Sequence, residues 1–463
     1  MKKKNFNVIN LALATIALSS FFACSTEEPS QPDTNTPTEV VSIEGEITED
    51  MTLTSDKQYM LKGFVYVTNN AELTIEPGTI IKGDKTSKAT LIVERGGKIW
   101  ARGTKNNPIV FTSNEAAGER SYGDWGGIVL CGNAKVNSAT GTAKIEGGPR
   151  SEFGGLDDND NSGALEYVRI EFAGVEYATD NEINGLTLGG VGSSTSLKYI
   201  QVSFCGDDSY EFFGGTVNAK YLIAHRGWDD EFDTDNGYSG KLQFLVGLRD
   251  PNVADKSLSN GFESDNDSGG SNNSPFTSPI FSNVSLFGPY TSLSDVVDPQ
   301  GGSGDFGTGM HLRRNTKLKV YNSVFAGWPN GLYIENGGKG DAQANATNGD
   351  LVVANCILSG IKVNNFKEDS KGTADFNKNY WEQALLSNRT FTNNADLKLS
   401  NPFNLTNPNF TALANSPVLD QADFNYDLIK NDAFFTKVSF VGAFGTENWT
   451  DGWANFDPQN TTY

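Results

Sequence analysis

Basic side chains and histidine are scarce in this sequence. It has 36 lysines and arginines against 57 acidic residues, a formal charge of −21 at pH 7, and only two histidines, His225 and His311. A chain this acidic repels nucleic acid and anionic lipid head groups, so we expect neither as a partner. Cations, neutral sugars or a basic protein surface are better candidates, and two histidines exclude chemistry that needs several imidazole groups.

Two motifs of common catalytic sites are also missing. The chain has no Gly-x-Ser-x-Gly nucleophile elbow, so we do not expect a Ser-His-Asp hydrolase. Gly189-Gly190 and Gly214-Gly215 lack the lysine and the helix that would make them phosphate-binding loops.

Long apolar runs are absent after residue 23, and residues 1–23 have the form of an export signal. Lysines at positions 2–4 precede an apolar stretch at residues 11–18, which is too short to span a membrane. A small residue then stands just before Cys24. This arrangement resembles the lipobox of bacterial lipoproteins, in which the cysteine is acylated, and the acidic residues that follow resemble the surface-export signal of Bacteroidetes-type bacteria.

The resemblance implies lipid attachment at Cys24, with palmitate as an anchoring chain, and an outer-membrane protein that faces the cell exterior. A lipoprotein that faces the periplasm is the alternative. Loss of residues 1–23 removes three lysines and no acid, so the formal charge becomes −24. Cys131, Cys205 and Cys356 remain, and because three is odd at least one thiol is free or pairs with another chain. Each lies in a strand-like run, where we expect buried apolar filler.

Repetition along the chain predicts the fold. The segments at residues 165–170, 197–202, 219–223 and 241–245 echo one another, and Asp207-Asp208 recurs as Asp229-Asp230. Steps of 18 to 32 residues, short alternating strands and Gly, Asn or Asp corners predict an all-β parallel β-helix in which each repeat is one coil. The chirality of parallel connections makes it right-handed. A propeller would need longer blades of antiparallel strands.

Aligning six short strands predicts a ladder of outward side chains. Two columns of each strand point into the core, and the residue between them points out because strand side chains alternate. The outward residues are Thr187, Glu211, Asp233, Glu263, His311 and Tyr333. Stacked carboxylates about 4.8 Å apart are unfavourable unless a cation, protonation or a cationic ligand group neutralises them.

A second pattern indicates calcium. Alternating oxygen side chains precede a glycine in Glu231-x-Asp233-x-Asp235-x-Gly237 and in Glu263-x-Asp265-x-Asp267-x-Gly269. Residues 157–163 follow the same template. Such oxygen ligands suit Ca²⁺, although the spacing is not that of an EF-hand. The candidate ligands are Asp233, Asp235, Glu263, Asp265 and Asp267. The alternative is that these residues serve only turn geometry.

The acidic side chains also allow an enzyme hypothesis. Asp207-Asp208 or Asp229-Asp230 would suit glycoside hydrolysis, and Arg313 could act as the base of a cation-assisted elimination. Repetition of the pair favours architecture over one active site, so no catalytic residue is assigned. A glycan or partner surface is the other hypothesis, with the candidates Glu211, Trp228, Asp229, Asp230, His311 and Tyr333.

Several runs carry a resemblance to a family. Residues 156–163, 184–192, 207–217 and 261–267, with the terminal residues 441–453, resemble β-helix surface lipoproteins of Bacteroidetes-type bacteria. The resemblance covers about residues 41–463. It implies a neighbourhood of TonB-dependent outer-membrane transporters, which is an association and not a mechanism.

The domain organisation follows from these observations. We expect a signal peptide at 1–23, the lipidated cysteine and a tether at 24–40, the β-helix at 41–365, and C-terminal coils and a cap of the same domain at 366–463. The expected function is a non-catalytic accessory or scaffold subunit of an outer-membrane complex, with a β-barrel transporter as partner in nutrient capture. A subunit of an assembly or secretion machine, and a polysaccharide lyase or glycoside hydrolase, are the alternatives.

Overall fold

Short parallel strands separated by tight corners make up most of the computed structural model. It describes residues 39–147, 149–178, 181–299 and 304–463, so the predicted signal peptide, Cys24 and nearly all of the tether lie outside the described residues. Among the described residues, no helix is long and apolar enough to cross a bilayer.

The strands of the described chain are numbered in chain order. Up to residue 203 they are β1 (Val40–Ile47), β2 (Met51–Leu53), β3 (Gln58–Val67), β4 (Glu72–Ile75), β5 (Ile80–Gly83), β6 (Thr90–Val93), β7 (Lys98–Arg102), β8 (Ile109–Ser113), β9 (Gly127–Cys131), β10 (Ala143–Lys144), β11 (Glu152–Phe153), β12 (Gly163–Glu171), β13 (Glu176–Ala178), β14 (Asn181–Glu182), β15 (Leu186–Gly189) and β16 (Ser196–Ser203). The later strands are β17 (Tyr210–Phe213), β18 (Asn218–His225), β19 (Phe232–Asp235), β20 (Lys241–Leu248), β21 (Phe262–Ser264), β22 (Ile280–Phe287), β23 (Thr308–Leu312), β24 (Lys319–Tyr321), β25 (Val324–Ala326), β26 (Asn330–Ile334), β27 (Val352–Ala354), β28 (Ile357–Ser359), β29 (Asn364–Phe366), β30 (Arg389–Phe391), β31 (Leu399–Asn401) and β32 (Asn409–Ala412).

Helices are short and lie late in the chain. They are α1 (Ala342–Asn348), α2 (Phe376–Trp381) and the 3₁₀ turns Ala384–Leu386, Asn394–Leu397 and Pro458–Asn460. Helix α1 begins at Asp341, whose side chain accepts a hydrogen bond from the Ala344 N–H, and it ends at Gly349 in the left-handed conformation. Helix α2 is followed closely by the first of these 3₁₀ turns.

The coils stack into three parallel faces of a right-handed β-helix, which confirms the predicted fold. One face, called the ladder face, runs through β9, β15, β17, β19, β21, β23, β26 and β29. The other two faces share β12, β16, β18, β20 and β22, which bend from one face to the next. Apolar side chains from the three faces fill one continuous core, with Phe232, Phe262 and Trp328 fully buried in it.

A column of residues in the left-handed backbone conformation lies at the bend between those two faces. These residues take no part in the strand pairing. We call it the bend column; its members are Tyr167, Tyr199, Tyr221, Phe244, Asn283, Asn322 and Asn355, with φ between 51° and 63°. Asparagine tolerates this conformation, whereas bulky aromatic residues rarely adopt it. In the sequence the bend column corresponds to a break in the apolar alternation, because the core residues on either side of the bend, such as Leu197 and Ile200, are three positions apart.

The C-terminal region has two structural parts. Strands β29 and β30 still pair with the coils, and Tyr380 and Trp381 of α2 pack against the end of the core, as a cap would. The lateral segment, residues 413–463, instead lies along the outside of the coils. Its backbone is held by bend-column amides: Asn355 Nδ2 donates to the Gln421 carbonyl at 2.7 Å and Asn283 Nδ2 to the Phe440 carbonyl at 2.9 Å.

All three cysteines of the described chain are free and buried. Burial raises the pKa of the Cys131, Cys205 and Cys356 thiols. They therefore stay protonated and inert, as small apolar residues of the core do.

Candidate cation site on the ladder face

The predicted ladder register is present in the structure. Glu211 lies beside Thr187 and Asp233, Asp233 beside Glu263, and His311 beside Glu263 and Tyr333. Their strand neighbours in the two inward columns, such as Tyr210 and Phe212 on β17, are fully buried. A slip of one residue would expose these aromatic side chains, so burial fixes the register and with it the column of carboxylates.

The second aspartate of each Asp-Asp pair has an architectural role. Asp208 Oδ1 accepts a hydrogen bond from the Asp230 N–H at 2.7 Å, and Asp230 Oδ1 accepts one from the Asn260 N–H. Asn260 continues the series by accepting from the Thr308 N–H at 2.9 Å. Each side chain thus satisfies a backbone donor of the next coil, which agrees with the architectural role that the repetition of the Asp-Asp pair favours.

These corner residues and the ladder together form clusters with the composition of a metal site. Within the described residues, three groups place one carboxylate oxygen of each member within 4.8 Å of the others: Asp207, Asp208 and Asp229; Asp208, Glu211 and Asp233; and Asp230, Asp233 and Glu263. The groups share members, so they form one acidic cluster along the ladder face. Hard carboxylate oxygens in loose geometry could hold a cation such as Ca²⁺.

Burial and mutual repulsion make the charged forms of this cluster unfavourable. Burial, followed by the Asp233 charge, raises the pKa of Glu211 well above its usual value. Burial, followed by the Asp235 charge, raises the pKa of Asp233 to about 8. Glu211 is 4% exposed, and its Oε1 and the Oδ1 of Asp233 are buried without a hydrogen-bond partner among the described residues. Buried, unpartnered carboxylate oxygens are costly unless a proton or a cation satisfies them.

Basic groups neutralise the other end of the ladder. Arg313 contacts both Glu263 and Asp265, the latter at 2.9 Å from Nε to Oδ1, and Arg314 contacts Asp265 at 2.7 Å. His311 Nε2 lies 2.9 Å from Glu335, and burial, the largest influence, lowers the pKa of His311. The imidazole also stacks on Tyr333 with ring centroids 4.9 Å apart.

The proposed calcium ligands therefore separate into two sets. Asp233 and Glu263 belong to the metal-capable groups, whereas Asp235, Asp265 and Asp267 lie outside them. Asp235 Oδ1 accepts from the Asn236 N–H at 2.5 Å, Asp265 is paired with arginine, and Asp267 Oδ1 accepts from the Gly269 N–H at 2.9 Å. Turn geometry explains Asp235 and Asp267. The additional members, Asp207 and Asp208, carried a signal in the sequence, namely the repeat of the Asp-Asp pair after 22 residues.

Trp228 lies at the corner beside this cluster, next to its member Asp229. Trp228 lines a cavity of about 470 Å³ together with Tyr122, Asp255 and Lys256. The Trp228 and Tyr122 rings meet edge to face, with centroids 5.3 Å apart. Asp229 Oδ2 accepts a hydrogen bond from Ser257 Oγ at 2.7 Å. The cavity thus places an aromatic ring and a basic side chain next to the acidic cluster.

A fully buried arginine fixes that corner, although nothing in the sequence pattern singled it out. The Arg249 guanidinium donates to the carbonyl oxygens of Gly227 at 2.9 Å and Trp228 at 3.3 Å, and it pairs with Glu231 at 3.2 Å. Both Arg249 and Glu231 side chains are fully buried. Arg249 follows a strand whose pattern is simply apolar, so its inward direction depends on the fold of the next coil.

Comparison with known proteins gives one family and one solved structure. The model of the family described as "Pectate-lyase like beta helix domain" matches residues 45–412. A crystal structure of the pectate lyase Pel9A is similar with a TM-score of 0.43 and 12% sequence identity, covering 81% of this chain and 88% of that chain. No curated protein matches this sequence.

Proposed function

The chain belongs to the pectate-lyase-like β-helix domain family, and for this member we propose a cation-binding, non-catalytic role at the cell surface. In this proposal Cys24 carries the lipid anchor in the outer membrane and the β-helix faces the exterior. The acidic cluster of the ladder face binds Ca²⁺. The protein serves as an accessory or scaffold subunit of an outer-membrane complex, with a TonB-dependent transporter as partner in nutrient capture.

One observation carries the cation-binding part. Asp208, Glu211 and Asp233 bring carboxylate oxygens within 4.8 Å of one another, and Glu211 and Asp233 each have a buried oxygen without a partner among the described residues. Protonation would satisfy one such oxygen, but a divalent cation satisfies several at once. Ca²⁺ fits this donor set because it accepts six to eight oxygen ligands in loose geometry.

The engagement of the basic groups supports the non-catalytic part. An eliminating enzyme needs a base that can reach the substrate proton. Arg313, the candidate from the sequence, is held by Glu263 and Asp265, and Arg249 is fully buried against Glu231. Neither guanidinium is placed to take a proton from a bound sugar.

A cation-dependent polysaccharide lyase is the second candidate, and one feature favours it. Lys256 lines the 470 Å³ cavity with Trp228 and Asp255, next to the cluster of Asp207, Asp208 and Asp229. A cation there could bind the carboxylate of an acidic sugar. This hypothesis predicts unsaturated products from polygalacturonate in the presence of Ca²⁺, and their loss in EDTA.

The first test is purification of the tagged, full-length protein from its own outer membrane in mild detergent. Mass spectrometry identifies the associated chains, and elemental analysis gives bound calcium per chain. A stoichiometric TonB-dependent transporter supports the uptake role, whereas an assembly or secretion component supports the machine alternative. Calcium near one or more per chain, lost in Glu211→Gln but kept in Asp267→Asn, supports the cation site.

Two further results would contradict the proposal. Complete protection of the protein from protease added to whole cells would place it on the periplasmic face. Steady release of unsaturated or reducing ends from a glycan panel would replace the non-catalytic role with the lyase or hydrolase alternative.

A further inference from the structure

A second candidate site lies away from the ladder face, at the aromatic part of the bend column. Four aromatic rings stack along successive coils there, those of Tyr167, Tyr199, Tyr221 and Phe244. Neighbouring ring centroids are 4.3, 4.4 and 5.0 Å apart, and the interplanar angles are 2°, 2° and 15°. All four residues adopt the left-handed conformation. Bulky residues persist in this conformation only where the surroundings hold them, and such outliers concentrate at functional sites.

The lateral segment contacts the two halves of the bend column in different ways. At Asn283, Asn322 and Asn355 the side-chain amides donate directly to its carbonyl groups, at 2.9, 3.0 and 2.7 Å. Along the aromatic half the segment contacts the rings through its own side chains, with Trp453 edge-on to Tyr167 and Tyr199 at 5.8 and 6.0 Å, and it leaves a groove of about 780 Å³. Contacts with Trp453 and Trp449 therefore hold the three tyrosines in a conformation that asparagine adopts more readily.

Tryptophans of the lateral segment form the opposite wall. Trp449 is half-buried, stacks on Phe444 at 4.9 Å, and approaches Tyr221 edge-on at 5.3 Å. Trp453 is 1% exposed, and its indole N–H donates to the Trp449 carbonyl at 2.8 Å. These contacts hold both indoles in place, so the wall is organised before any ligand enters.

Polar groups complete the groove without making it cationic. Its rim carries Asp420, Glu447, Asn448 and Thr446 as hydrogen-bonding groups, with Lys105 as the basic side chain. Burial raises the pKa of Tyr199 and Tyr221, so their hydroxyl groups remain neutral donors and acceptors. An anionic ligand would meet two carboxylates and one amine, and a purely apolar ligand would leave the hydroxyl and amide groups unpaired.

We propose that this groove binds a neutral oligosaccharide. Pyranose rings present apolar C–H faces to aromatic walls and hydroxyl groups to polar side chains, which matches the Trp449 wall, the tyrosine hydroxyls and the rim. The volume is in the range of small-ligand sites, about 300 to 1,000 Å³. The site is separate from the acidic cluster and does not rest on the function proposed for it.

The test uses the full mature chain and tryptophan fluorescence with isothermal titration calorimetry. The probes are cellohexaose, mannohexaose, xylohexaose and maltohexaose as neutral sugars, and hexagalacturonate as the anionic comparison. We expect a neutral probe to bind with a Kd of about 1 mM or tighter. Trp449→Ala should weaken binding at least about tenfold, as for aromatic hot-spot residues.

Two variants keep the test decisive if Trp449→Ala does not fold. Tyr199→Phe preserves the ring stack, removes one hydroxyl, and should weaken binding severalfold. Trp100→Ala, at a half-buried tryptophan outside the groove lining, should leave the Kd unchanged.

Three outcomes would overturn the assignment. They are no binding of any neutral probe at about 10 mM, binding of hexagalacturonate alone, or unchanged affinity in both groove variants. EDTA should leave neutral-sugar binding intact, so a failure of the cation site and a failure of this groove are distinguishable. Sugar binding that vanished in EDTA and in Glu211→Gln would move the site to the ladder face and refute the groove.

Discussion

Replacing Asp233 by asparagine should have opposite effects on stability with and without calcium. Asp233 belongs to two of the three carboxylate groups, with Glu211 on one side and Glu263 on the other. The change keeps the shape of the side chain and removes its charge. Without metal it removes repulsion; with metal it removes a ligand.

The size of each effect follows from the geometry. Two unit charges at 4.8 Å, the upper limit of the separations in these groups, repel by about 3 kcal/mol at an effective dielectric constant of about 20. Burial and the Asp235 charge raise the pKa of Asp233 to about 8, so in the metal-free protein at pH 7 this carboxyl group is mostly protonated, and the repulsion acts as the free-energy cost of taking up that proton. We expect Asp233→Asn to be about 2 kcal/mol more stable than the wild type in EDTA. At Ca²⁺ concentrations near 1,000 times Kd the wild type gains about 4 kcal/mol and the variant under about 1.

Equilibrium urea unfolding, monitored by tryptophan fluorescence in EDTA and in Ca²⁺, measures both differences. Asp267→Asn is the matched control, since its carboxylate accepts from backbone donors of its own turn. Its effect should be the same in both conditions. An Asp233→Asn protein that is less stable than the wild type in EDTA would refute the repulsion. A variant that responds to Ca²⁺ as fully as the wild type would refute metal binding at Asp233.

Three further predictions concern groups outside the acidic cluster. Burial lowers the pKa of His225, whose Nε2 lies 2.8 Å from the Leu405 carbonyl, from 6.5 to about 3. The stability that neutral His225 contributes is complete above pH 6.5 and falls by up to about 5 kcal/mol as the pH drops towards 3; His225→Gln should flatten this pH dependence in urea unfolding, and equal slopes would contradict the prediction. Arg249→Met leaves the buried Glu231 carboxylate unpaired and should lower the free energy of unfolding by about 3 to 5 kcal/mol, and adding Glu231→Leu should restore much of it. No recovery in the double variant would mean that the lost hydrogen bonds to carbonyl oxygens dominate. Phe262→Ala opens a cavity in the fully buried core and should lower the free energy of unfolding by about 3 to 5 kcal/mol in the same assay. A loss below about 1 kcal/mol would indicate that the coils collapse around the cavity.

The ladder face was predictable because its information is local. Side chains alternate along each strand, and a slip of one residue would expose Tyr210 or Phe262, so the apolar pattern alone aligns Glu211 with Asp233 and Asp233 with Glu263. The repeat of Asp-Asp after 22 residues likewise pointed to equivalent corners.

Contacts between non-repeating segments could not be predicted in the same way. Arg313 and Arg314 follow the end of β23, and only the path of the chain after Leu312 turns them back towards Asp265, which lies 48 residues before Arg313. The buried Arg249 depends in the same way on where the next coil passes. The lateral segment has no repeat of its own, so its position on the side of the coils was not visible in the sequence.

The route of the lateral segment has a consequence for the order of folding. Its bonds join residues very far apart in the chain: Asn455 N to Gln201 Oε1 spans 254 positions, and Arg120 Nη1 to the Pro458 carbonyl spans 338. Adjacent coils are joined over a few tens of residues, and short loops close before long ones. The coils therefore stack first and the lateral segment docks last, so the groove beside Tyr199 and Trp449 comes into being only in the final step. A sugar bound there would slow the release of the lateral segment and the opening of the coils beneath it.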